Sequence, residues 1–206
     1  MLDFGRSLRR LRRLTGMKQS HLAELAGVTQ ATVSRWESGT HQPTPEQAAK
    51  LLPLIEARLD PASDAMLKRL VESSSLRVHL VCDVTHRLLA VSKARREEWR
   101  NDASGLYGET LWPFASPWIR DGEARLPDLG WYELSALPVA GWTDFNHPGT
   151  IRMGPGMWLW ERMQISDGRF VRLVTSMKLE DLRRTVPAAR FVSLPPEGGE
   201  RDWNPL

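Results

Sequence analysis

Residues 19–39 read QSHLAELAGVTQATVSRWESG, and this stretch constrains the chain more than any other. Apolar positions Leu22, Ala23, Leu25 and Ala26, then Val33 and Trp36, fall at helical spacing in two separate halves. The spacing predicts a helix over Gln19–Ala26, a turn over Gly27–Thr29 and a second helix over Gln30–Ser38. Gly27 stands where a short turn needs positive φ. Thr29 stands where a hydroxyl can accept a backbone N–H of the second helix. Ala23 is small where two helices must cross closely. Two helices joined this way hold the second one clear of the core.

Gln opens the first helix, Ala and Gly take its crossing and turn positions, and Ser-Arg-Trp-Glu-x-Gly closes the second. This pattern resembles the helix-turn-helix of the Cro and lambda-repressor family, the XRE family, over about the first quarter of the chain. The resemblance implies double-stranded DNA, an operator, as partner, read by the second helix in the major groove. Carried over by position, it implies base contacts by Gln30, Ala31, Thr32 and Arg35, with Ser34 in a second rank. Arg35 has the donor geometry for guanine and Gln30 for adenine, while Ala31 and the Thr32 methyl suit a thymine methyl. Gln19 and Thr29 match positions that hold phosphate at helix N-termini, and Ser38, Thr40 and Gln42 would meet the DNA backbone beyond the second helix. Arg12 matches a position that pairs with the glutamate near the end of that helix, here Glu37. An ion pair that stabilises the fold is as good a reading of Arg12 as a phosphate contact.

Charge follows the motif. Residues 1–60 hold nine Lys or Arg against six Asp or Glu, whereas residues 61–206 hold nineteen of each. All the excess positive charge therefore lies in the motif-bearing segment, concentrated in Arg6, Arg9, Arg10, Arg12, Arg13 and Lys18, as a phosphate-binding surface requires. A single cysteine, Cys82, excludes an intramolecular disulfide and a thiolate metal cluster, which suits a reducing compartment. No apolar run reaches eighteen residues, and the Arg-rich start lacks the apolar segment of a secretory signal. The expected setting is the bacterial cytoplasm, at the nucleoid, with no membrane partner.

Around the motif, Phe4, Leu8, Leu11 and Leu14 predict a first helix over Asp3–Thr15, ended by Gly16. His41–Thr44 reads as a loop, and Thr44-Pro45-Glu46-Gln47 as the start of a fourth helix that Pro53 kinks or breaks. Asp64–Ser75 forms a fifth, amphipathic helix that extends the domain or pairs with its copy in a dimer, and the Ser73–Ser75 run marks a joint. From Leu76 the period changes to two. Strands are expected over 76–83 and 88–92, joined by a turn at VTHR, then a helix capped by Ser92 and a short helix within Trp112–Asp121. Further strands are expected over 131–139, 156–166 and 169–178, the last two joined at Asp167-Gly168.

Strand-strand, helices, strand-strand-strand is an order that resembles a PAS domain, with HLVCDVTHRLLAVS and GLYGETLWPFAS as the fragments that carry the likeness. The expected architecture is thus α+β. An all-α, five-helix, lambda-repressor-like domain (1–72) precedes a PAS-like domain (76–178) with a five-stranded antiparallel sheet. Residues 179–206 read as a short helix, LEDLRR, and a mobile tail.

Trp112, Trp118, Trp131, Trp142, Trp158 and Trp160 are expected to fill a core or interface in preference to lining a ligand cavity. His79, His86 and His147 lack metal-ligand spacing, so no metal or cofactor is expected. A self-cleaving Ser-Lys peptidase is disfavoured. Its cleavage-like Ala140-Gly141 lies deep in the second domain, and Ser166, Ser176 and Lys178 lack the spacing. A cupin is disfavoured for want of His-x-His. The sequence therefore reads as a non-enzymatic, sequence-specific DNA-binding transcriptional regulator. One recognition helix reads few base pairs, so a homodimer on a palindromic site is expected, its second domain dimerising or binding a small molecule or protein. The alternative is an antitoxin or phage-type adaptor whose C-terminal domain binds a partner protein.

Overall fold

A computed structural model of the chain describes residues 4–146 and 149–195; His147, Pro196, Trp203 and Pro205 lie outside them. Five helices come first: α1 Phe4–Thr15, α2 Gln19–Ala26, α3 Gln30–Glu37, α4 Pro45–Ile55 and α5 Ala65–Ser73. Then follow β1 Arg77–Cys82, β2 Leu88–Val91, α6 Lys93–Trp99, α7 Pro117–Arg125, β3 Val139–Thr143, β4 Gly156–Gln164, β5 Phe170–Met177, α8 Leu179–Thr185 and β6 Arg190–Phe191. A 3₁₀ turn, Trp112–Phe114, precedes α7. Two strands, helices and three strands recur in the order on which the PAS resemblance rests, so the α+β reading holds.

Local chemistry sets most boundaries. Thr44 accepts the Gln47 N–H while the Gln47 side chain accepts the Thr44 N–H, a reciprocal cap on α4. That helix runs on past Pro53 to Ile55 instead of breaking at it. Ser92 and Ser116 cap α6 and α7 through the N–H groups of Arg95 and Ile119.

The sheet corrects the sequence reading in two places. It has six strands, in the order β2-β1-β5-β4-β3-β6, because Arg190–Phe191 of the expected tail pair in parallel with Val139–Ala140. The strand expected over 131–139 is instead mostly turns, and β3 begins at Val139. Arg162 donates to the carbonyls of Trp131 and Glu133, taking acceptors that a neighbouring strand would use. The true strand, VAGWT, hides its β character behind Ala140 and Gly141. Gly141 is small because the Trp158 ring lies over it: an added Cβ would sit 2.4 Å from Trp158 Cζ2. Gly122 of α7 meets the same ring, which stacks on Trp160 at 3.8 Å between centroids.

One apolar cluster runs without a break from Phe4, Leu8, Leu22 and Trp36 through Leu51 and Ile55 to Val78, Leu80, Trp131, Trp158 and Val171. The helical segment and the sheet thus share a core. Polar contacts reinforce the seam. Asp64 accepts both the backbone N–H and the hydroxyl of Ser166, each at 3.0 Å. Cys82 Sγ accepts the Ala57 N–H at 3.4 Å, and Arg169 donates to the Pro53 carbonyl.

At the centre of the seam, Arg10 of α1 enters a buried ionic cluster. It donates to Asp83 at 2.8 Å and to Glu123 of α7. Arg172 of β5 donates to the same two carboxylates, lying between the rings of Trp131 and Trp160 at 4.8 and 4.5 Å. Trp131 Nε1 adds a bond to Asp83 at 3.0 Å, and His86 Nε2 lies 3.0 Å from Glu123. Removing one partner of a buried ion set strands the opposite charge in a low-dielectric interior. Arg10→Met should therefore lower the stability of the full chain by about 3–5 kcal/mol in urea unfolding.

Burial by itself would raise the Glu123 carboxyl, but Arg10, His86 and Arg6 hold it down to about 2 from an ordinary 4.5. A depressed folded value means stability present above the ordinary pKa and lost as pH falls through the folded one. Burial pushes Asp83 upward against Arg10, which acts in the opposite sense. The native state should thus weaken between about pH 4.5 and 2. Glu123→Gln should be less stable at pH 7 and show a flatter decline across that window, followed by circular dichroism; an unchanged slope would assign it to other carboxylates.

Candidate nucleic-acid interface

Helix α2 ends on Gly27 at φ 65°. The Gly27 N–H bonds Glu24 O at 3.1 Å and the Val28 N–H bonds Ala23 O at 2.9 Å, closing the last turn and redirecting the chain. Thr29 then caps α3, its hydroxyl accepting the Thr32 N–H at 3.2 Å. Leu22, Ala23, Ala26, Val33 and Trp36 are all buried between the helices. Trp36 is core, with no exposed ring to stack on a base.

With Val33, Trp36 and Glu37 inward, the opposite stripe of α3 faces solvent. Gln30, Ala31, Ser34 and Arg35 are exposed on it, and Thr32 is half-buried with its hydroxyl 2.9 Å from that of Thr29. Arg35 Nε rests on the Ala31 carbonyl at 3.3 Å. Ser38 and Thr40 are exposed past the end of α3, both hydroxyls donating to the Arg35 carbonyl at 3.1 and 3.2 Å, and Gln42 is exposed beside them. These residues form one continuous surface.

Gln19 and Arg12 are placed differently. Both face Glu37, whose side chain is almost wholly buried. Arg12 donates to its two oxygens at 2.8 and 2.9 Å, and Gln19 Nε2 donates at 3.0 Å. Burial would raise the Glu37 carboxyl, but the Arg12 and Gln19 hydrogen bonds and the Arg9 charge bring it below its ordinary value. Glu37 thus ties α1, α2 and α3 together through a bidentate guanidinium contact.

The basic run on α1 is also largely turned to internal work. Arg10 is buried, Arg9 donates to the Glu37 carbonyl at 2.6 Å, and Arg6 bonds Glu123 and lies 3.5 Å over the Trp112 ring. Arg13 and Lys18 are exposed. Charge counted along a sequence cannot separate these roles, because the carboxylates involved come from distant segments.

Sequence reasoning passed over Gly5. A Cβ there would lie 1.9 Å from the Trp36 carbonyl oxygen, so α1 crosses the end of α3 at backbone contact. Gly5→Ala must displace α3 and should cost about 1–3 kcal/mol in thermal unfolding. Its only signal was a glycine inside an otherwise amphipathic helix.

The histidines have other partners. His79 is buried edge-on to Trp99 at 5.1 Å, and His86 serves Glu123. Among the described residues no three His, Cys, Asp or Glu side chains are grouped to hold a metal. Nor is any helix among them long and apolar enough to cross a membrane.

Residues 3–62 match a family described as a helix-turn-helix domain. No curated protein matches the chain. A solved structure of an RNA-binding light-oxygen-voltage receptor is similar at 8% identity and a TM-score of 0.40, over 89% of this chain and 61% of that one. The chain thus spans about three fifths of that receptor's length.

Proposed function

We propose that this protein is a transcriptional regulator of the Cro and lambda-repressor type, the XRE family, that binds double-stranded operator DNA in a sequence-specific way. The reading rests on one observation: the solvent stripe of α3, Gln30, Ala31, Ser34 and Arg35, stands clear of the core within a matched helix-turn-helix domain. Arg35 and Gln30 carry side chains suited to bidentate contact with guanine and adenine in the major groove. Thr29, Ser38, Thr40 and Gln42 flank the stripe where the DNA backbone would pass. Gln19 and Arg12 act on DNA indirectly, by holding Glu37 and so the angle of α3.

The protein binds as a homodimer on a palindromic site, because a single α3 spans too few base pairs for specificity. The α5 helix offers Met66 and Leu70, one turn apart and 63% and 59% exposed, as apolar surface for a second copy. The protein acts in the cytoplasm by binding and catalyses no reaction.

Selection from random duplexes with the full chain should yield a palindromic consensus; recovery of no preferred sequence would overturn the reading. Arg35→Ala should weaken that complex by about 1–3 kcal/mol and relax one position per half-site. Gln42→Ala should weaken all duplexes alike at a stated salt concentration.

A further inference from the structure

Arg6, Arg9, Arg10 and Arg13 are spaced three and four residues apart, so they share one face of α1. That face looks across an open cleft of about 280 Å³ to Arg120 and Glu123, spaced three apart on α7. Five arginines therefore line the cleft against one carboxylate, Glu123. Glu123 is already held by Arg10, Arg172 and His86 in the buried cluster. No residue of α3 belongs to the lining.

The cations at the rim are positioned without being neutralised. Arg9, Arg13 and Arg120 are exposed. Arg120 donates Nε to the Ala115 carbonyl at 3.2 Å and Nη2 to the Trp112 carbonyl at 3.1 Å, and lies 4.8 Å from the centre of the Trp112 ring. Arg13 lies 5.6 Å from the centre of the Tyr132 ring. Among the described residues neither Arg13 nor Arg120 has an ion-pair partner. Arg9 donates to the Glu37 carbonyl at 2.6 Å and reaches the Glu37 carboxylate only at 3.9 Å, where Arg12 already holds it. Carbonyls and ring faces orient a guanidinium and leave its full charge in place. Like charges gathered in one concave site repel, and a multivalent anion offsets that repulsion.

The shape of the complement follows from the donors. A guanidinium presents its N–H groups as a planar fork that matches carboxylate or phosphate oxygens. One carboxylate, with two oxygens in a plane, satisfies one fork. A terminal phosphate offers three acceptor oxygens spread in space and about two negative charges, which suits forks that approach from two walls. A DNA phosphodiester carries one charge per phosphate and is the poorer match.

We propose that the cleft between α1 and α7 binds a small soluble phosphoanion, a diphosphate or phosphate monoester, through Arg9, Arg13 and Arg120. The anion bridges the helix-turn-helix segment, by way of α1, and the sheet, by way of α7. The site is independent of the operator reading and is tested without DNA.

Calorimetric titration of the full chain with sodium pyrophosphate, orthophosphate and acetate, at one ionic strength, tests this. Pyrophosphate should saturate at one site, at least tenfold tighter than acetate, and raise the thermal midpoint of the chain. Arg13→Gln and Arg120→Gln should each weaken pyrophosphate several-fold, with circular dichroism spectra that stay native. Lys18→Gln removes an exposed cation of the same segment outside the cleft and should leave the affinity unchanged. No saturable binding at millimolar pyrophosphate, equal affinity for acetate, or equal weakening by Lys18→Gln would overturn the proposal. So would a result in which Arg13→Gln and Arg120→Gln lower the salt slope of random-duplex binding and leave pyrophosphate untouched, which would give these arginines to the DNA backbone.

Discussion

Asp83 and Glu123 lie in the interior of the protein, and everything around them is arranged to make that tolerable. A buried carboxylate is costly unless cations and hydrogen-bond donors surround it. Here the donors come from four places: Arg10 on α1, Arg172 on β5, Trp131 in the loop before β3 and His86 in the turn after β1. Each carboxylate is satisfied only when those pieces stand in one arrangement. The cluster therefore fixes which faces meet, whatever its net contribution to stability.

One consequence is a helix-turn-helix segment mounted firmly on the sheet. The apolar core crosses the seam, and Asp64, Cys82 and Arg169 bind the connecting residues to the sheet and its hairpin. Glu37 performs the same service inside the motif, converting two arginines, Arg9 and Arg12, and Gln19 into a frame for α3. The polar stripe of α3 is left facing outward because its opposite side is locked. A cavity on the sheet adjoins this frame: Glu123, which accepts from Arg10, and His86 and Arg172, which contact the same carboxylate, form part of its wall.

Tryptophan use shows the limit of composition as a guide. The sequence reading set core against cavity as alternatives, and the fold divides the residues between them. Trp131 is wholly buried and bonded to Asp83, Trp142 packs in a separate cluster with Leu159 and Leu182, and Trp118 is 44% exposed. Trp112, Trp158 and Trp160 line the cavity with Trp99. Which residue does which depends on strand register and on the glycines, Gly122 and Gly141, that make room for Trp158.

The helix-turn-helix was legible because its determinants are local. Gly27, the Thr29 cap and the spacing of Leu22, Ala23, Val33 and Trp36 act within about twenty residues, so sequence order carries their geometry. The strands of the hairpins, β1 with β2 and β4 with β5, were legible for the same reason. The strand VAGWT was not, since Gly141 answers to the Trp158 ring of the next strand and Ala140 to Leu159 and Leu182 on the other face. The Arg10 cluster joins positions 10, 83, 123, 131 and 172, and Arg6, Arg9 and Arg12 read alike with Arg13 until their partners are known. Local periodicity determines where helices and most strands form; burial of a particular charge or ring is decided by long-range contacts, which exist only once the chain has closed on itself.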